Sequence, residues 1–332
     1  MTTSTTTTHP PTGPRTEPPR SFVLLSSLTP MLKRNGLLIF FAALLVVFTV
    51  VRPEFLSQAN IRNILISASV IGVLALGQTV VMLTGGFDIS VAKTAVVAGM
   101  VVAWAGGMGP LALVLAVIAV ALVGLVNGIL ISRAKVNPFV VTLGMYTILT
   151  SVALLINDGG AFANLPAWLT GLVSWQLFGL PGIVYWFIGL AIVTHIAIAY
   201  TRWGGHIYAI GGNFEAARLA GIKASGILAS AYVVCASLAG LGGIMLTSRL
   251  ETASPVALPG AELDAIAAVV IGGTRLTGGF GSIPRTIVGV LVLMALQSGL
   301  VLLGVNPYYQ GMFKGSILIL AVAVDVVFSK KK

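Results

Sequence analysis

Few side chains in this sequence could do chemistry, and most of those are neutral. Gln78, Asn127, Thr142 and Gln297 lie inside long apolar runs. Each can donate and accept hydrogen bonds, so together they suit a neutral, hydroxyl-rich solute, or equally the bonding of one helix to another. Ionisable groups in such positions are scarcer. Asp88 closes on a glycine pair in LTGGFDIS, residues 83–90, and His195 stands alone in AIVTHIAIAY. A carboxylate inside a bilayer costs roughly 2.5–3.5 kcal/mol on insertion scales and usually has a function. Asp88 or Ser90 can also cap the free N–H groups of the helix that follows, and a cap can fix the gap through which a solute passes. His195 reads as a hydrogen-bonded packing residue. The single Cys235 sits in an apolar run, which excludes a disulfide within the chain and suggests no metal cluster. No Ser/His/Asp or Cys/His set stands at suggestive positions, so nothing supports enzymatic chemistry. No G-x-x-x-x-G-K-[ST] loop is present, so the chain cannot grip ATP in the P-loop manner.

The elements that must position these groups follow from composition. Of 332 residues, 57% are hydrophobic and 8% charged, against about 25% charged in an ordinary soluble domain. Such a chain cannot cover itself with polar groups, so its solvent is lipid. Net charge is +10, but the basic residues are scattered between apolar runs rather than gathered in a stripe. That pattern fits positive loops of a membrane protein and argues against nucleic acid as a partner. Residues 1–30, rich in Thr, Pro and Ser, read as a disordered cytoplasmic tail, with Phe22–Leu28 a weak candidate for lying along the membrane surface. Residues 31–332 read as one transmembrane domain.

The apolar runs are continuous rather than alternating, which selects helices over a barrel. About 20 apolar residues cross a bilayer. The expected fold is therefore an all-α integral membrane protein with about ten spans, near 36–51, 61–83, 89–106, 110–132, 137–157, 183–201, 227–247, 263–274, 286–303 and 313–328. With the N-terminus in the cytoplasm, 15 Lys and Arg residues fall inside, among them Lys93, Arg133, Arg218, Arg275, Arg285 and Lys330. Only Arg52, Arg62, Arg249 and Lys314 fall outside, which obeys the positive-inside rule and puts the C-terminus in the cytoplasm too. The run 263–274 is short for a span. If it turned back, the terminal lysines would move outside, so it is expected to cross with Gly272, Gly273, Gly278 and Gly279 carrying part of the passage as irregular backbone.

The pentapeptide LTGGF recurs at 83–87 and 276–280, each time at the cytoplasmic end of a run and before another apolar run. Glycine-broken segments at matching places in two halves point to a transport pathway, and small residues also let helices pack closely. The candidate pathway residues are Gln78, Gly85, Gly86, Phe87, Asp88, Asn127, Gly278, Gly279 and Phe280. Since the chain carries no fuel site, an inward-facing segment must receive the driving force. Residues 202–226, RWGGHIYAIGGNFEAARLAGIKASG, form the longest polar stretch on that side. Asn213 suits an N-cap, Glu215 suits the first turn of a short helix, and Gly221 suits its stop.

Three stretches carry a resemblance: GGFDIS at 85–90, YAIGGNFEAARLAGI at 208–222 and ELDAIAAVVIGGTRLTGGFGS at 262–282, supported by GLVNGILISRAKVNPFVVTLGM at 124–145. Together they make the chain similar to the membrane permease subunit of bacterial ABC importers of the ribose/xylose/galactose class, over about residues 55–326. The resemblance implies a multi-pass protein of the bacterial inner membrane and a second permease copy, identical or a close relative. It also implies ABC ATPase subunits that hold ATP and Mg²⁺ while this chain binds no cofactor, and a periplasmic binding protein that delivers a sugar or polyol. It further implies that Asn213, Glu215, Ala216, Ala217, Arg218 and Gly221 form the segment that docks on the ATPase. The chain departs from the family pattern at Lys93, where a small residue is usual after DIS, and at Arg275, Phe280 and Pro284. The two added cations are expected near the inner mouth. The alternative is a gradient-driven secondary transporter of a small neutral solute, which would need ionisable residues deep in the bundle. A channel is a further alternative.

Overall fold

A backbone in lipid must satisfy its own polar groups, and helices do so within each segment. The computed structural model describes residues 20–306, 308–313, 315–316 and 319, and they form a helical bundle. The helices are α1 (Arg20–Val51), α2 (Gln58–Leu83), α3 (Val91–Trp104), α4 (Leu111–Ser132), α5 (Pro138–Leu155), α6 (Ala167–Ser174), α7 (Gly182–Tyr200), α8 (Arg202–Gly212), α9 (Phe214–Leu219), α10 (Ala224–Leu250), α11 (Ala261–Ile271) and α12 (Ile283–Leu302). Among the described residues, a hairpin of two-residue strands, Gln176–Leu177 with Leu180–Pro181, interrupts the helices between α6 and α7.

Among the described residues, six helices are long and apolar enough to cross a membrane: α2, α4, α5, α7, α10 and α12. The apolar part of α1, Gly36–Val51, has the expected bounds, and α3 comes out shorter than the expected 89–106; neither reaches the length of those six. The doubtful run at 263–274 is the 11-residue α11, and the run 313–328 lies almost wholly outside the described residues. Of the expected tail, residues 1–19 lie outside them too, while 20–30 are the first turns of α1, including the stretch Phe22–Leu28.

Helix α2 runs through the centre, 83% buried along its most apolar stretch against 17% for α5. A helix apolar on all sides belongs in such a place, whereas α5 leaves one face open. Around α2 the helices approach closely because small residues face each other. Gly124 and Gly128 of α4 lie one turn apart against α10. A Cβ at Gly124 would sit 2.5 Å from the Tyr232 carbonyl oxygen, and one at Gly128 would sit 2.7 Å from Ala229 Cα. On the next side of α10, Gly243 meets the Ala95 backbone of α3. This is the small-residue packing that brings helices together where lipid offers no hydrophobic drive. The main apolar core then draws on α2, α3, α10, α11 and α12 together.

Candidate functional site

The segment between α2 and α3 is held by a buried polar cluster. The Asp88 carboxylate accepts from the Ser90 N–H at 2.8 Å and from the Ser90 hydroxyl at 2.5 Å. Asn127, from the Gly124–Gly128 face of α4, donates to the Ser90 hydroxyl oxygen at 3.2 Å. The Gln78 side-chain amide lies on the Asp88 backbone, accepting from its N–H at 3.1 Å and donating to its carbonyl at 3.2 Å. Asp88 thus turns the chain towards α3 by gripping the amide of Ser90, just before the helix, and the Ser90 side chain makes no cap bond of its own. Gln78, Asp88 and Asn127 are buried to 1% exposure or less. They therefore do not line an open passage in this conformation. They tie α2, α3 and α4 together at the first glycine turn.

That turn meets its copy. Gly85 and Gly278 both have positive φ, +85° and +84°, which only glycine adopts without strain. A Cβ at Gly278 would lie 2.6 Å from the Gly85 nitrogen and 3.0 Å from Gly211 Cα. The Gly279 N–H donates to the Leu83 carbonyl at 2.9 Å. Gly211, at the end of α8, presses on the Leu83 carbonyl and the Gly279 nitrogen, with no room for a methyl group. The two LTGGF copies and the GG of α8 therefore form one three-way backbone contact. Their flanks differ: α2 runs 26 residues into the first copy and α11 runs 11 residues before the second.

Two tyrosines, which the sequence reading passed over, brace this junction. Tyr208 of α8 donates to the Gly281 carbonyl at 2.8 Å. Tyr232 of α10 donates to the Phe87 carbonyl at 3.4 Å, and its hydroxyl occupies the space a Cβ on Gly86 would need. Phe87 is half-buried and packs edge-on against Phe139 of α5. Phe280 is 45% exposed, with the Arg275 and Arg285 guanidinium groups over its ring at 4.9 and 5.7 Å.

The polar stretch 202–226 is two helices, α8 and α9, with Asn213 between them. Asn213 caps α9 by accepting from the Ala216 N–H at 2.9 Å. Glu215 and Arg218 form an exposed ion pair at 2.8 Å, and Gly221 follows at φ +86°. Ala216 is exposed, but Ala217 is buried and packs among Ile210, Ala224 and Phe214. Ala217 therefore cannot be a docking contact, contrary to the sequence expectation. Successive residues on a helix are about 100° apart, enough to turn Ala217 inward while Ala216 stays out. Leu219, 82% exposed, is the apolar group on the outer side that the sequence reading missed.

Lys93 also departs from expectation. It is 8% exposed and lies over the Tyr146 ring of α5 at 5.6 Å, whereas Arg275 lies over the Phe280 ring. Glu262 and Asp264 of α11 are buried as well. Ionisable groups inside the bundle are thus more numerous than the sequence suggested. The burial of Lys93 and Glu262 was invisible because each stands near the end of an apolar run.

Among known proteins, the family described as branched-chain amino acid transport system/permease component matches residues 60–322. A ribose import permease protein, RbsC, of Escherichia coli K12 is 39% identical over 295 residues, covering 87% of this chain and 92% of its own. RbsC of Bacillus subtilis is 37% identical over 297 residues, covering 85% and 89%. The galactose/methyl galactoside import permease MglC of Salmonella typhimurium is 32% identical over 324 residues, covering 91% and 96%. No solved structure matches the chain.

Proposed function

The chain belongs to the branched-chain amino acid transport system/permease component family, and from that membership we propose that it is the transmembrane permease subunit of an ATP-driven importer for a sugar or related polyol. The observation that carries the reading is near-full-length similarity to ribose, arabinose and galactose import permeases. It sits in the inner membrane as a multi-pass protein. The ATPase is a separate subunit, and a periplasmic binding protein delivers the solute.

About ten segments cross, the short α3 and α11 included, with both termini cytoplasmic as the Lys and Arg distribution requires. Two permeases, identical or closely related, sit on two ATPase domains. ATP and Mg²⁺ stay with those domains. The exposed side of α9, with Glu215, Ala216 and Arg218 set by the Asn213 cap and the Gly221 stop, docks on the ATPase. Work delivered there reaches the junction of Gly211 with Gly85 and Gly278 directly through backbone, because α8 and α9 are joined by Asn213 alone. Moving α8 relative to α2 and α11 then opens or closes the segment Gly86–Phe87 and Gly279–Phe280 to one side. The latch of Gln78, Asp88 and Asn127 keeps the first turn registered on α4 during the movement.

The test is uptake by proteoliposomes. With its ATPase and binding protein, the permease is expected to accumulate radiolabelled ribose, arabinose or galactose only when ATP is enclosed. Accumulation by vesicles holding this chain alone, driven by an ion gradient, would defeat the importer reading and establish the gradient-driven alternative.

A further inference from the structure

Three helices bring their least expected side chains to one place. Lys93 stands in the first turn of α3, Tyr146 in the middle of α5 and Glu262 in the first turn of α11. Lys93 is 8% and Glu262 9% exposed. The Lys93 ammonium lies 5.6 Å from the centre of the Tyr146 ring. Glu262 is within electrostatic reach of both Lys93 and Tyr146, and of Asp264. Yet Lys93 and Glu262 do not close into an ion pair, and Glu262 Oε2 is buried without a hydrogen-bond partner. In a low-dielectric interior, an ammonium and a carboxylate that attract but stay apart are costly, and an unfilled acceptor adds to the cost. Such an arrangement persists where something polar enters between the charges. Meanwhile α5, which supplies the tyrosine, is the span with the most open face. On that face Thr147 and Ser151 stand one turn apart and are exposed.

Resting on the importer reading, we propose that Lys93, Tyr146 and Glu262 form a solute-binding station part-way along the passage, specific for a polyhydroxylated ring. A solute hydroxyl has both halves of the required bond. It can accept from the Lys93 ammonium and donate to Glu262 Oε2, so the hydroxyls of a polyol suit both groups and would satisfy the orphan oxygen. The Tyr146 ring offers an apolar surface for the C–H face of the sugar, and its hydroxyl offers a further partner. The bland alternative is that the cluster only fastens α3 and α5 to α11.

Uptake per ATP hydrolysed separates the two, measured in proteoliposomes with the full complex and the same three sugars. In Lys93→Met and Glu262→Gln this ratio is expected to fall about tenfold for a sugar the unmodified complex imports. Tyr146 is only half-buried, so Tyr146→Leu folds even if the buried substitutions do not, and it too is expected to lower the ratio. A ratio unchanged in Tyr146→Leu, or a parallel loss of uptake and hydrolysis in the other two, overturns the station and marks a fastening role. Absence of ATP-driven uptake by the unmodified complex defeats the importer reading itself, and the station with it.

Discussion

The Asp88 carboxylate shows how one side chain can look like a pathway group and act as a fastener. Its two bonds to Ser90 hold the entry to α3, and Asn127 reaches the same hydroxyl from α4. Asp88→Ala leaves a buried N–H and a hydroxyl unmet, a loss of about 1–3 kcal/mol. Asp88→Asn keeps an acceptor oxygen and is expected to cost less. Thermal unfolding of the detergent-solubilised protein checks the order, and equal losses would remove the acceptor role. A second pair isolates the glycine contact. Gly273 and Gly278 share a φ of +84°, but only Gly278 has backbone packed where a Cβ would go. Gly273→Ala should cost the left-handed strain alone, about 1–2 kcal/mol. Gly278→Ala should cost clearly more, by the same unfolding measurement. LTGGF was legible as special in the sequence because it occurs twice. That its two copies touch was not, since no local pattern records a contact between segments 193 positions apart.

Helices α8 and α9 divide their labour in a way that single substitutions can resolve. At the end of α8, Gly211 is wedged against the Leu83 carbonyl, whereas Gly212 has open space where its Cβ would be. Gly211→Ala is expected to reduce ATP-driven uptake at least tenfold and Gly212→Ala to leave it within about twofold. On α9, Ala216→Trp enlarges the exposed side, so thermal stability should hold while uptake is lost and binding-protein-stimulated hydrolysis with it. Ala217→Trp overfills the pocket formed with Ile210 and Ala224, so stability itself should fall, by about 1–3 kcal/mol. If both tryptophans behaved alike, the two-sided description of α9 would be wrong. The Asn213 cap and Gly221 stop were readable in sequence because capping depends on residues within one turn. The break that makes two helices from one polar stretch was not. Asn213 ends α8 and starts α9 at once, and only the packing of Ala217 and Ile210 says which way each points.

For the bundle as a whole, the strongest expectation concerns sides. Ala216 on α9 and Val256 after α10 are both exposed and are separated by α10, a helix of 27 residues. Single cysteines at these positions in right-side-out vesicles should label differently. Ala216→Cys should react only with a permeant reagent, and Val256→Cys also with an impermeant one. Cys235 is fully buried and should stay silent in both, so it can remain in place. Matching labelling at the two sites would break the proposed orientation. The composition and the lengths of the apolar runs already determined that the protein lives in lipid and is helical, because those are properties of each segment and its solvent. Which helices are central, which glycine turns meet, that Ala217 turns inward and that Lys93 is buried beside Glu262 were decided only by the tertiary structure. Each depends on how close two distant backbones can come, and that distance is set by every small residue along both helices together rather than by any one stretch of sequence.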